Sequence, residues 1–184
     1  MKIRLAVSLV ILAVITRLAL NLLPYPPHNF SPIATMGLFG AACFDRKWMA
    51  LALPFAGLFL SDLFLNNVLY REFYTGFTLI TSWWIYAAFG LVMLLGWVTL
   101  RQQITPGRLI PVSIGSSLIF FFVTNFSVWY EGTMYPHTGA GLSACLVAGL
   151  PFLSNTVLGD LFFSSVLFGT YYWMLNRQKA TQQI

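Results

Sequence analysis

The stretch KIRLAVSLVILAVITRLALNLL, residues 2–23, sets two positive side chains, Lys2 and Arg4, ahead of an apolar run from Leu5 to Leu23. As a helix rising roughly 1.5 Å per residue, such a run covers about 30 Å, the thickness of a bilayer's hydrocarbon layer. It begins like a secretory signal, but Arg17 interrupts it and no small-residue cleavage site follows, so the sequence predicts a first helix that is retained. The positive start then recurs. Arg46 and Lys47 lie between the second and third apolar stretches, Arg101 and Arg108 between the fourth and fifth, and Arg177 and Lys179 follow the last. Lys and Arg are retained in cytoplasmic loops. Their fall on alternate gaps predicts an all-α integral membrane protein of six transmembrane helices, N-in/C-in, with Arg71, Glu72, Glu131, His28 and His137 on the outer side.

Composition points the same way: 58% of residues are hydrophobic, 17% aromatic and only 8% charged, where a soluble domain has about a quarter charged. A net charge of +5 would suggest nucleic acid in a soluble protein. Here the basic residues sit in pairs at helix ends, which argues for topology and anionic headgroups and against a nucleic-acid partner. The 184 residues form one transmembrane domain, 1–184. Cys43 and Cys145 are too few for a disulfide framework and fall on opposite sides, so both read as small packing residues.

Pro24, Pro26 and Pro27 end the first helix and stiffen an outer loop over Tyr25–Phe30. A second helix over Pro32–Phe44 is too short to cross, and Gly37, Gly40 and Ala41 predict that it packs inside the bundle. A third helix runs over Trp48–Asn66 with a kink at Pro54. The fourth covers Phe77–Leu100, its Trp83, Trp84 and Tyr86 forming an interfacial belt. The fifth covers Arg108–Phe126. In the last outer loop, Gly139–Leu150 reads as a short helix ended by Pro151, lying across the outer face or dipping in as a lid. Ser154 or Asn155 then caps a sixth helix over Thr156–Asn176.

Charged groups inside a membrane are costly and are kept for a pathway, a partner or a ligand. Arg17, Asp62 and Asp160 are such groups, and the expected topology puts all three in the outer half, with Asp160 about one turn below the start of the sixth helix. Asn125, at the outer end of the fifth helix, and His28 and His137, in the outer loops, reach the same level. Two readings stay open: an ion pair of Arg17 with Asp62 or Asp160 that holds helices in register, or a ligand site. The flanks Tyr25–Phe30 and Trp129–His137 add aromatic walls of the kind a small-molecule pocket needs.

The chain has no His-Glu-x-x-His, no Gly-x-Ser-x-Gly and no phosphate loop, so nothing in it signals an enzyme. The apolar inner halves of the helices favour capture from outside over a continuous pore. The reading is a binding and uptake protein for a small molecule; the alternatives are a non-catalytic accessory or scaffold subunit of an envelope complex and, third, an intramembrane enzyme.

One resemblance sharpens this. The run Pro32-Ile33-Ala34 through Gly37-Leu38-Phe39-Gly40, then a basic inner turn and a helix ending Ser61-Asp62-Leu63, resembles the second and third helices of the substrate-binding S components of energy-coupling-factor (ECF) vitamin transporters. More closely, Asn29-Phe30-Ser31-Pro32, Thr124-Asn125-Phe126 with Trp129, Tyr135-Pro136-His137-Thr138, and Asn155-Thr156 with Gly159-Asp160-Leu161 are similar to a bacterial family of uncharacterised six-helix membrane proteins near the solitary cobalamin S component. The similarity covers nearly the whole chain. It implies an S-component-like bundle in the bacterial inner membrane, with ligand held in the outer half under the loops after helices 1, 3 and 5. It further implies a vitamin or cofactor precursor as substrate, a cobalamin-type corrinoid first among them, no resident cofactor, and as partner an ECF energising module or none. His28 and Asp62 carry over as ligand contacts, joined from the reading above by Arg17, Asn29, Asn125, Trp129, His137 and Asp160. The cobalamin protein offers cobalt a cysteine near the start of helix 4; Thr75–Tyr86 holds none, which leaves His28 to meet a metal. The first helix also lacks the Ala-x-x-x-Ala pattern by which many S components dock.

Overall fold

The computed structural model describes residues 2–25 and 28–181, so Pro26 and Pro27 of the expected proline stop lie outside the described residues. Six helices follow one another: α1 Lys2–Asn21, α2 Ile33–Cys43, α3 Lys47–Phe64, α4 Trp83–Thr99, α5 Pro106–Glu131 and α6 Gly139–Thr181. A π-helical turn, Leu65–Leu69, prolongs α3, and a 3-10 turn, Arg71–Phe73, follows it. No strand occurs among the described residues.

Why α2 can be so short follows from where it sits. Every residue from Ala34 to Ala41 is buried, and a helix apolar on all sides is stable only when surrounded. It packs against α1, α3, α4, α5 and α6 and forms the axis of the bundle. Small residues allow this: a Cβ on Gly40 would lie 2.2 Å from Pro54 Cγ, so only glycine lets α2 pass α3 at Pro54. On its other side Phe39 meets Phe168 at 5.2 Å and Tyr171 at 5.4 Å, both edge-on. The expected internal packing of this helix is what the structure has.

Four segments are long and apolar enough to cross a membrane: Ile3–Asn21, Lys47–Leu69, Pro106–Glu131 and Gly139–Arg177. α2 and α4 are shorter apolar helices of 11 and 17 residues. The bundle's outward surface is itself apolar, with Ile11, Leu12 and Ile15 of α1, Leu60 of α3, Val98 of α4 and Phe122 of α5 all exposed. A soluble monomer does not leave apolar patches of that extent uncovered.

Three boundaries differ from expectation. α4 begins at Trp83, not Phe77, because Ser82 caps it, its Oγ accepting from the Trp84 amide at 3.2 Å. The chain before the cap is held away from the helix by Asn67, which donates to the Thr78 carbonyl at 2.7 Å and accepts from its amide at 2.9 Å. α5 continues past Phe126 to Glu131. Gly139–Leu150 is no separate helix: α6 runs unbroken through Pro151. Proline removes one intrahelical donor, a loss that helices in apolar surroundings tolerate. Nor do Ser154 and Asn155 act as caps; Ser154 Oγ donates back to the Pro151 carbonyl at 2.8 Å, and Thr156 Oγ1 to that of Phe152 at 2.9 Å. Both cysteines are free, Cys145 buried and Cys43 half-buried.

Candidate functional site

Two separate polar clusters interrupt the apolar interior. In the first, Arg17 of α1 is only 9% exposed and Asp62 of α3 is fully buried. Arg17 Nη2 donates to Asp62 Oδ1 at 2.6 Å, and Nη1 donates to Ser61 Oγ and, at 3.3 Å, to the Leu58 carbonyl. Tyr86 of α4 donates its hydroxyl to Asp62 Oδ2 at 3.1 Å. Both carboxylate oxygens are thus engaged, and α1, α3 and α4 are tied at one level. Around the pair, Asn21 donates to the Arg17 carbonyl at 2.8 Å and accepts from Tyr70 at 2.7 Å.

The second cluster surrounds Asp160, 1% exposed. With α6 beginning at Gly139, this residue lies about 31 Å along the helix at roughly 1.5 Å per residue, at mid-helix and not one turn from its start. Its Oδ2 accepts from Ser117 of α5 at 2.6 Å. Its backbone carbonyl accepts from Thr35 of α2 at 3.2 Å, and a run of hydroxyls continues away from it: Thr35 Oγ1 to Ser164 Oγ at 3.3 Å, and Ser113 Oγ donating to Ser164 Oγ at 2.9 Å. Arg17 is paired with Asp62, and among the described residues no cation is paired with Asp160.

The chain between α1 and α2 reaches down to this level. Phe30 packs at a tilt against Phe162 and Phe163 at 5.9 and 5.2 Å, and its Cα would be 3.3 Å from a Cβ on Gly159. Asn29 is the one non-glycine residue with positive φ among those described, at 59°, a conformation asparagine tolerates better than most. It stands between two cavities. The smaller, about 80 Å³, is lined by Asn29, Ser31, Thr156 and Asp160 with Ile33, Ala34 and Phe120. The larger, about 380 Å³, opens between the last turns of α5 and the first of α6, with Asn29, Thr124, Asn125 and Tyr135 as polar lining and Val128, Met134, Cys145 and Phe152 among its walls. Asn125 is pressed close to α6: a Cβ on Gly149 would fall 2.5 Å from its Oδ1, and Cys145 Sγ donates to its carbonyl at 3.4 Å.

A model of a family of unknown function, DUF6580, matches residues 1–183. The chain belongs to DUF6580. No curated protein and no solved structure matches it.

In this DUF6580 chain the eight residues singled out from sequence divide. Asn29 joins Asn125 at the larger cavity and Asp160 at the smaller one. Arg17 and Asp62 bind each other and line neither cavity. His28 is exposed, its ring edge-on to Phe152 at 6.1 Å, at the rim of the larger cavity. Trp129, in the last turn of α5, and His137, just before α6, meet edge-on at 5.6 Å; Trp129 Nε1 donates to the Pro136 carbonyl at 2.9 Å, and His137 Nε2 lies 3.3 Å from the Gly132 carbonyl oxygen. They brace the turn that presents Tyr135. Among the described residues no three His, Cys, Asp or Glu side chains gather as a metal site. Sequence reasoning overlooked Ser113, Ser116, Ser117, Ser164 and Thr35, all buried, and Tyr86, which reaches Asp62; with Trp84 half-buried against Phe126 and Tyr130, Trp83 alone of the three expected belt aromatics is exposed. The hydroxyl run also carries polarity further along α5 than the apolar inner halves expected from sequence.

Proposed function

We propose that this DUF6580 protein is a multi-pass membrane protein of the bacterial inner membrane, N-in/C-in, that binds a small molecule from outside and passes it inward. One observation carries the reading: the larger cavity opens between α5 and α6 at the end of the bundle opposite the basic turns, and it combines apolar walls with a few converging amide and hydroxyl groups. Pockets for small organic ligands are built this way and span about 300–1,000 Å³. At about 380 Å³ this one is at the small end. A vitamin precursor or comparably small amphipathic molecule fits such a space; a corrinoid, much larger than the ligands of that range, would need the turn between α5 and α6 to move aside. The resemblance to S components supplies the substrate class. The protein binds and passes its ligand without chemistry, and Arg17 with Asp62 acts as a staple.

Native mass spectrometry of protein extracted mildly from its own host tests this. The expected spectrum carries a bound small molecule that is lost from an Asn125→Ala variant of unchanged melting temperature. A ligand-free spectrum with a copurifying membrane protein in its place would overturn the reading in favour of an accessory subunit.

A further inference from the structure

Asp160 poses a problem that the binding cavity does not solve. A lone carboxylate taken out of water costs several kcal/mol unless something neutralises it. The groups that face it are Ser117 and Ser116 from α5, Thr35 from α2, Ser164 and Thr156 from its own helix, and Asn29 and Ser31 from the chain before α2. None of these is basic.

Beside it lies a cavity of about 80 Å³, room for an ion and one or two waters, since a water needs only about 10–15 Å³ by that measure. Its polar lining residues all carry side-chain oxygens: Asp160, Asn29, Ser31 and Thr156. Thr156 spends its proton on the Phe152 carbonyl, leaving its lone pairs free. Ser31 Oγ is buried and makes no hydrogen bond, an orphan that a folded protein rarely keeps without a reason.

We propose that this cavity binds one sodium ion, with Asp160 as the charged ligand and Ser31, Thr156 and Asn29 as neutral oxygen ligands. Hard cations take such oxygens. A single carboxylate matches a single positive charge, whereas a divalent ion would leave an excess of charge in a low-dielectric interior. A proton alone would neutralise Asp160 but leave Ser31 unserved. Because Asn29 lines both cavities, an ion here would fix the residue that the outer ligand meets. The site stands independently of the uptake reading, since it is tested with no organic ligand present.

The test is thermal unfolding of the purified full chain in detergent, titrated with NaCl against KCl and choline chloride at constant ionic strength. Sodium is expected to raise Tm by about 5–10 °C at a hundredfold excess over Kd. Asp160→Asn, which keeps an oxygen for Ser117, should abolish the rise, and Ser31→Ala should weaken the apparent sodium affinity about tenfold. Should Asp160→Asn fail to fold, Ser31→Ala decides: unchanged affinity overturns the site. Equal Tm in all three salts overturns it too. So does a Tm that follows pH but not sodium, the mark of a proton site, or a sodium rise that survives in Asp160→Asn.

Discussion

An arginine with 9% of its surface exposed is stable here because both terminal nitrogens of its guanidinium are engaged. Arg17 meets Asp62, Ser61 and the Leu58 carbonyl, and Asp62 in turn takes the Tyr86 hydroxyl. Removing one partner of such a pair strands the other, at about 3–5 kcal/mol, whereas replacing both with apolar groups of similar size is close to neutral. Asp62→Ala is therefore expected to lower the melting temperature by about 10 °C or more, and Arg17→Met with Asp62→Leu to recover most of it, as read by tryptophan fluorescence on heating. Tyr86→Phe removes one hydrogen bond to a charged acceptor and should cost about 1.5–3 kcal/mol. If Asp62→Ala melts like the wild type, the staple assignment fails. The sequence made Arg17, Asp62 and Asp160 visible because charge inside an apolar run is conspicuous. It left open which acid the arginine meets, since that depends on α1 lying against α3. The serines around Asp160 were invisible for a different reason: a serine in an apolar helix commonly bonds its own preceding turn, as Ser116 does to the Ser113 carbonyl at 2.7 Å, and only the fold shows which ones also face a carboxylate.

Among the elements, α6 is where pattern and structure parted. Pro151 followed by Ser154 and Asn155 has the look of a stop and a cap, yet the proline costs one donor within a helix otherwise continuous for 43 residues. The consequence is that residues on either side of the proline act as one rod, and Gly149, Phe152, Thr156 and Asp160 line the two cavities in succession. Pro151→Ala should accordingly leave helicity by circular dichroism unchanged and raise the melting temperature slightly; a loss of helix would show that the proline ends one segment and starts another. α2, by contrast, was legible because Gly37, Gly40 and Ala41 in an apolar stretch too short to cross fit only a surrounded helix. The two close approaches differ in what they protect. At Gly40 a methyl would meet the rigid Pro54 ring at 2.2 Å, so Gly40→Ala is an overpacking change expected to cost about 1–3 kcal/mol. At Gly149 it would meet Phe121 Cε2 at 2.9 Å and, at 2.5 Å, Asn125 Oδ1, and Asn125 lines the larger cavity. Gly149→Ala should therefore shift Asn125 and weaken ligand binding about tenfold, while lowering Tm less than Gly40→Ala.

For the molecule as a whole, the ends of the bundle are chemically distinct. At one end Arg101 stacks on Trp97 with 3.7 Å to the ring centroid and donates to the Asp45 carbonyl at 3.2 Å, which brings the turn between α2 and α3 against the turn between α4 and α5. Lys47 sits over the same indole at 6.0 Å, and Arg177 over Trp173 at 4.4 Å. Cations braced on tryptophans suit a headgroup layer, where an indole keeps its ring in lipid and its edge in water. At the other end Trp84 Nε1 donates to Glu131 at 2.7 Å, beside the Trp129 and His137 turn and the mouth of the larger cavity. The basic end should face the cytoplasm, and the cavity should open to the outside. In a background with Cys43 and Cys145 replaced by serine, a cysteine at exposed Thr75, before α4, is expected to react with a membrane-impermeant maleimide in intact cells. One at exposed Gln102, in the basic turn, is expected to react only after the membrane is breached. The reverse pattern would turn the cavity inward and remove the basis for capture from outside, while leaving the Arg17 staple and the Asp160 site where they are, since neither depends on which way the bundle faces.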